Sequence, residues 1–209
     1  MKNTKKGYFI TFEGADGSGK TTQLNKVKEY LELKGYDVVV TREPGALETG
    51  KQIRNILLHS ENPVSNRCEM FLFLADRANH IEMFIEPNLN EGKVVLCDRH
   101  TDSTIAYQGY GRGQDIKLLK DLNAIATDKV KPDLTLLYDV STEIAMQRVG
   151  SEKDRMESAG IEFHKKVRNG YLELQKENPN RIKLINADKT VEEVFEASKK
   201  VIDKLLQEK

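Results

Sequence analysis

Cysteine is scarce in this chain: Cys68 and Cys97 are the only two in 209 residues, with neither a C-x-x-C pair nor any metal-type spacing. That argues against a disulfide framework and for a reducing compartment. Cys97 closes the apolar run VVLC and reads as a buried thiol. Net charge is missing too. Lys plus Arg and Asp plus Glu each total 33, so the formal charge is zero, whereas a protein that grips nucleic acid by its phosphates carries a basic excess. No window approaches the roughly 18 apolar residues of a membrane span. The N-terminal MKNTKK is basic, but the strand of about seven residues behind it is too short for a signal-peptide core with a cleavage site. Repeats, low-complexity tracts and linkers are absent, and the four histidines are scattered, so none is read as a metal ligand. These absences point to a cytoplasmic protein with no nucleic-acid and no membrane partner. Its 38% hydrophobic content is enough for a substantial core.

What is present is an alternation of strand-like and helix-like runs. GYFITFE, YDVVVTR, KVVLCDR, DLTLLYDV and RIKLINA read as five strands. Helical spacing follows the first, with Leu24, Val27, Tyr30 and Leu31 on one face and Gly35 as the stop. Another helix lies around GKQIRNILL. Past the Asn62-Pro63 break comes a long one, with Met70, Phe71, Phe73 and Leu74 on its apolar side. The last helix opens on the capping box Thr190-x-x-Glu193. Strands alternating with helices predict an α/β fold, a five-stranded parallel sheet flanked by helices on both faces, and residues 1–209 form one domain.

Between the first strand and helix stands FEGADGSGKTTQ, residues 12–23, which contains G-x-x-x-x-G-K-T. The strand–turn–helix context is what a P-loop requires. Glycines let the backbone N–H groups of Gly14, Ala15, Asp16, Gly17, Ser18, Gly19, Lys20, Thr21 and Thr22 turn inward around phosphates, and the helix N-terminus adds positive potential. Lys20 reaches the β- and γ-phosphates, and the Thr21 hydroxyl ligates Mg²⁺.

Ligands of open α/β sheets bind beyond the carboxyl ends of the strands, so the residues just after each strand are the ones to search. Asp98 and Arg99 close the third strand. There an Asp orders Mg²⁺ and an Arg clamps a phosphate; the inert alternative is a pair that caps the next helix. Arg42 sits on a turn stiffened by Pro44-Gly45, on the sheet edge shared with Lys20 and Arg99. Phe73 and Arg77, four apart, lie on one helix face and suit a planar base. Tyr107 offers a wall against a sugar and Gln108 a reader of a base edge, with core packing and a surface amide as the plainer alternatives. Residues 147–160, QRVGSEKDRMESAG, break helical periodicity and read as a closing lid at about 148–160 or an ordinary solvated connection.

Together FEGADGSGKTTQ, TREPG, ADRANH, DRHTDSTIAYQGYGRG and DRMESAGIEFHKKVRNGYLEL resemble the bacterial thymidylate kinases, in order and over nearly the whole chain. The resemblance implies a P-loop kinase fold, a homodimer, and transfer of the γ-phosphoryl of ATP, with Mg²⁺, to dTMP, giving dTDP for DNA precursors. Carried across motif by motif, it puts Asp16 on the acceptor 3′-hydroxyl or the metal, and Arg42 and Arg99 on the dTMP phosphate. Phe73 stacks on thymine, Arg77 bonds its O4, Thr104 and Gln108 address the base edge, and Tyr107 crowds out a 2′-hydroxyl. Two positions depart from the commoner pattern: His100 where a Tyr often follows the Asp-Arg, and Thr104 where Ser is frequent. Some members carry an Arg inside the P-loop where Gly17 stands here. Transition-state cations beyond Lys20 then come from the lid and its approach: Arg155 first, with Arg148 and Lys153.

Three other readings compete, of which a purely structural P-loop protein is the weakest, given the number of charged residues at the strand ends. A GTPase-type switch wants Asn-Lys-x-Asp, and NADK at 186–189 has the wrong order. A deoxynucleoside kinase needs a base to activate a hydroxyl, whereas Arg42 and Arg99 suit an acceptor that already carries phosphate. Such an acceptor is ionised at neutral pH, so positioning and charge neutralisation suffice.

Overall fold

The computed structural model describes residues 7–148 and 155–207. MKNTKK, Lys153 and Asp154 therefore lie outside the described residues, as do the other lid residues between 149 and 152. All five apolar runs are strands: β1 (Tyr8–Glu13), β2 (Val38–Arg42), β3 (Val94–Asp98), β4 (Leu134–Asp139) and β5 (Ile182–Asn186). They pair in parallel in the order β2-β3-β1-β4-β5. Between them run α1 (Lys20–Leu33), α2 (Glu48–His59) and α3 (Asn66–His80), the last passing through a π-helical turn (Ile81–Ile85) into α4 (Glu86–Asn90). Then come α5 (Thr101–Thr104), which widens into a π-helical stretch at Ile105–Gly111, and α6 (Ile116–Ala126). The remaining helices are α7 (Thr142–Arg148), a 3₁₀ turn at Glu157–Ala159, α8 (Ile161–Glu177) and α9 (Val191–Gln207).

Strand side chains alternate between the two faces of the sheet, and both faces are dry. Ile10, Phe12, Leu96, Leu136 and Tyr138 pack with Leu24, Val27 and Leu31 of α1 and Val194 and Ile202 of α9. On the opposite face Phe9, Val95 and Cys97 meet Ile81, Ile85 and Leu89, while Leu137 and Ile182 meet Tyr107, Val167 and Leu174. Burial on both faces explains why the strands read as unbroken apolar runs instead of alternating ones.

The capping box forms as expected, with Thr190 N–H donating to Glu193 Oε2 at 3.0 Å and Glu193 N–H to Thr190 Oγ1 at 3.3 Å. One residue of the α3 stripe differs. Met70 and Leu74 are buried and Phe73 is half-buried, but Phe71 is 53% exposed. At about 100° per residue Phe71 stands off the stripe that Met70, Phe73 and Leu74 share.

Candidate active site

The β1–α1 loop takes its shape from glycine. Gly17 has φ of 79°, and a Cβ there would stand 2.2 Å from the Ala145 carbonyl oxygen of α7, so a side chain is excluded by backbone geometry and by space. Helix α1 begins at Lys20 without a side-chain cap. Its first-turn N–H groups therefore lack intrahelical partners, with the positive end of the helix dipole behind them. Lys20 is buried and donates from Nζ to the Gly14 and Ala15 carbonyls at 3.1 and 2.9 Å. Burial, with the Arg99 guanidinium nearby, brings its ammonium down to about 8.

The end of β3 meets this loop. Thr21 Oγ1 donates to Asp98 Oδ2 at 3.2 Å, and Asp98 Oδ1 is buried with no partner among the described residues. No group of three or more His, Cys, Asp or Glu that could by itself hold a metal ion exists among the described residues. A Mg²⁺ that takes one carboxylate and a hydroxyl and keeps its waters and substrate oxygens needs no such cluster, and the orphaned Asp98 oxygen fits it.

Arg99 has φ of 67°, rare for a residue with a long side chain. Its Nη1 donates to the Gly14 carbonyl, Ser103 Oγ and Tyr171 Oη, and its Nη2 to Asp16 and to Tyr107 Oη. The Tyr107 hydroxyl donates in turn to Asp16 Oδ2 at 2.8 Å. Burial alone would raise the Asp16 pKa, but Arg99 and Lys20 hold the carboxyl far below its usual range. Beneath this knot Glu13, the last residue of β1, is wholly buried and accepts from His100 N–H, Ser103 Oγ and Tyr171 Oη. Burial, with Asp102 close by, pushes Glu13 up to about 7.

Beyond Arg99 opens a cavity that reaches Phe73, Arg77, Tyr107 and Gln108. Arg77 is buried and nearly saturated: Nε donates to Glu43, Nη1 to Thr104 and Asn123, and Nη2 to the His100 carbonyl. Five N–H groups minus these four bonds leave one Nη2–H. Glu43 also bonds Nδ1 of both His80 and His100 at 3.0 Å. Burial would raise Glu43, but Arg77 and the histidines outweigh it and hold the carboxyl well below its ordinary value. His100 is a buried brace under Arg77 and Glu43, lining the cavity beside them.

Two of the expected cations are exposed. Arg42 is exposed and does not line the cavity, whereas Arg54 of α2 does. Arg54 shares a helix face with the buried Leu57 and Leu58, and a cation on an apolar stripe was the available signal. Arg148 is exposed and donates to the Ala187 carbonyl beyond β5. Arg155 is not extended toward the β1–α1 loop. Its Nε donates to the Leu57 carbonyl at 2.8 Å and its Nη2 to Glu69, while its neighbour Met156 lines the cavity. Glu69, unremarked in the sequence, precedes Phe73 and Arg77 by one and two turns on the same face of α3.

A phosphate-binding loop at the carboxyl edge of a parallel sheet, joined through Asp16 and Arg99 to a cavity built from side chains, defines a P-loop kinase. Comparison with known proteins narrows the class. The thymidylate kinase family model matches residues 12–197, and the chain belongs to that family. It is 45% identical to the thymidylate kinase of Maridesulfovibrio salexigens, covering 94% of this chain and 96% of that one. With the thymidylate kinase of Thermoanaerobacter pseudethanolicus it shares 46% identity over 95% of this chain and 97% of the other. The crystal structure of thymidylate kinase from Ehrlichia chaffeensis superposes with a TM-score of 0.78 at 38% identity, covering 94% of this chain and 98% of that chain.

Proposed function

We propose that this chain transfers the γ-phosphoryl of ATP to dTMP, giving dTDP. The observation that carries the reading is the Asp16–Arg99–Tyr107 knot, which sets the two substrate regions wall to wall. A donor phosphate on one side and an acceptor phosphate on the other then approach in line, which is most of what phosphoryl transfer requires. Loop residues 14–22 and Lys20 hold the ATP phosphates. Thr21 and Asp98 hold Mg²⁺, which when bound offsets charge on the phosphate oxygens. Arg99 clamps the dTMP phosphate, with Arg54 from the cavity wall and Arg42 from the rim. The residual Arg77 Nη2–H donates to thymine O4, Phe73 stacks on the ring, and Thr104 and Gln108 face its edge. Tyr107, pinned by Asp16, leaves no space for a ribose 2′-hydroxyl.

Arg155 has two roles open to it: a lid cation that reaches the transferring group, with Arg148 in support, or a pin that holds the end of the lid on α3. Its bonds to Glu69 and Leu57 favour the pin. We further assign the protein to the cytoplasm, as one domain and a homodimer. Among the described residues no helix is long and apolar enough to cross a membrane. Ile56, Phe71, Leu118 and Ile125 project exposed from α2, α3 and α6, which pack side by side, and suit a second copy.

A coupled assay over a panel of nucleoside monophosphates tests the function, with the solution mass measured on the same sample. The highest kcat/KM belongs to dTMP, and equal rates with AMP or dCMP would reject the assignment. A monomeric mass would reject the dimer.

A further inference from the structure

Glu69 is fully buried on α3, yet it touches neither the P-loop nor the Arg99 knot. Its Oε1 accepts from Gln108 Nε2 at 2.8 Å and from Arg112 Nε at 3.5 Å, and its Oε2 accepts from Arg155. With two guanidinium partners it is a carboxylate, and a carboxylate only accepts. An amide can meet such a group only through its NH₂ end. Gln108 is therefore held in one of its two orientations, and its carbonyl Oε1, which has no partner among the described residues, is the end left to the cavity that Gln108 lines.

We infer that Glu69 is a positioning residue for base selection: it fixes the Gln108 amide so that the pocket presents an acceptor beside the Arg77 donor. The inference rests on the dTMP-kinase reading above. An acceptor next to a donor matches the imide edge of thymine, where N3 carries a hydrogen and C4 a carbonyl. It mismatches cytosine, whose N3 is a lone pair and whose C4 carries an amine, so both contacts turn repulsive or unpaired. Buried polar groups left unpaired are the strongest source of discrimination a pocket has. Without Glu69 the amide is free to turn over, and its NH₂ end then meets the cytosine N3 lone pair. Arg155 ties the same carboxylate to the end of the lid, and Arg112, which also reaches Met156 Sδ at 3.5 Å, closes the cluster.

The test is Glu69→Gln, which keeps size and hydrogen bonding but offers both a donor and an acceptor to Gln108. The kcat/KM ratio of dTMP over dCMP should fall at least about tenfold, with the thermal transition showing that the variant is folded. A folded variant with an unchanged ratio overturns the inference. Failure of the wild-type protein to phosphorylate dTMP would instead overturn the functional reading, so the two failures are distinct. Should Glu69→Gln not fold, the wild type answers by NMR with ¹⁵N-labelled glutamine, the Gln108 amide being the signal lost in Gln108→Asn. A slowly exchanging Gln108 N–H that persists with dTMP bound supports the fixed orientation. A rapidly exchanging pair, or one that reorients when dTMP binds, overturns it.

Discussion

The two halves of the site are made in different ways. The half proposed for ATP is mostly backbone: one continuous loop, residues 14–22, bent by glycines and finished by a helix start. The half proposed for dTMP is side chains drawn from Asp16, α2, α3, α5, the ends of β2 and β3, the π-helical stretch after α5, and Met156 of the lid stretch. A backbone cradle tolerates many side chains provided the glycines stay. A side-chain cavity depends on a web of buried charges, in which Arg77, Glu43, His80, His100 and Asn123 hold one another. Perturbing the first half should therefore act on ATP and the chemical step, and perturbing the second on the choice and affinity of the acceptor.

Arg99 belongs to both halves, and its loss should have the largest effect. Arg99→Ala leaves Asp16 and the acceptor phosphate without their guanidinium. Truncating one partner of a buried charge pair costs on the order of 2–5 kcal/mol. Steady-state kinetics should show kcat/KM for dTMP down by roughly 10² or more, with ATP affinity nearly unchanged. Near wild-type turnover would break the picture of a shared wall.

Glu13 lies under that wall, and its effect is on stability. Its pKa is raised from 4.5 to about 7, so between those values the folded protein keeps a proton that the unfolded chain releases. Stability from this group is complete below 4.5 and is lost as the pH rises through about 7. Glu13→Gln removes that dependence. Relative to wild type it should gain on the order of 1–3 kcal/mol between about pH 5 and pH 8, read from denaturant melts at both ends. Parallel pH profiles of the two proteins would show that Glu13 carries no such penalty.

The smallest effect is expected at Arg155, and it sharpens the division between the halves. As a pin on Glu69, Arg155→Ala should raise the KM for dTMP about tenfold or less at nearly constant kcat. If Arg155 reaches the transferring phosphoryl, as its place in the lid motif suggests, kcat drops roughly 10³-fold with the dTMP KM little changed. Kinetics with each substrate varied in turn separates the two.

What could be read in advance follows the same division. The five strands, the helices after β1, between β2 and β3 and after β5, and the P-loop rest on patterns within a few residues: apolar runs, 3.6-residue spacing, glycines at fixed offsets. Phe73 and Arg77 were legible for the same reason, being one helical turn apart, and one turn further back the same rule reaches Glu69. Glu13, Ser103 and Tyr171 carried no such mark. A carboxylate that ends a strand and a tyrosine 158 positions later in the chain become partners only when α8 packs beside α5. Arg42, which closes the second strand, carried the signal in the sequence, and Arg54 passed unremarked. The packing of α2 against α3 put Arg54 on the cavity wall, whereas Arg42 is exposed and does not line it.

Sequence by itself thus determined the α/β fold, the phosphate loop and the family, because each is written in short-range chemistry that survives without knowledge of distant neighbours. Tertiary structure alone decided which buried charges meet: that Glu43 braces Arg77, that Glu69 turns the Gln108 amide, and that Arg155 rests on α3. The physical reason is desolvation. A buried ion is tolerable only beside its partner, and the partner here comes from another element, brought within hydrogen-bond distance by packing that no local pattern encodes.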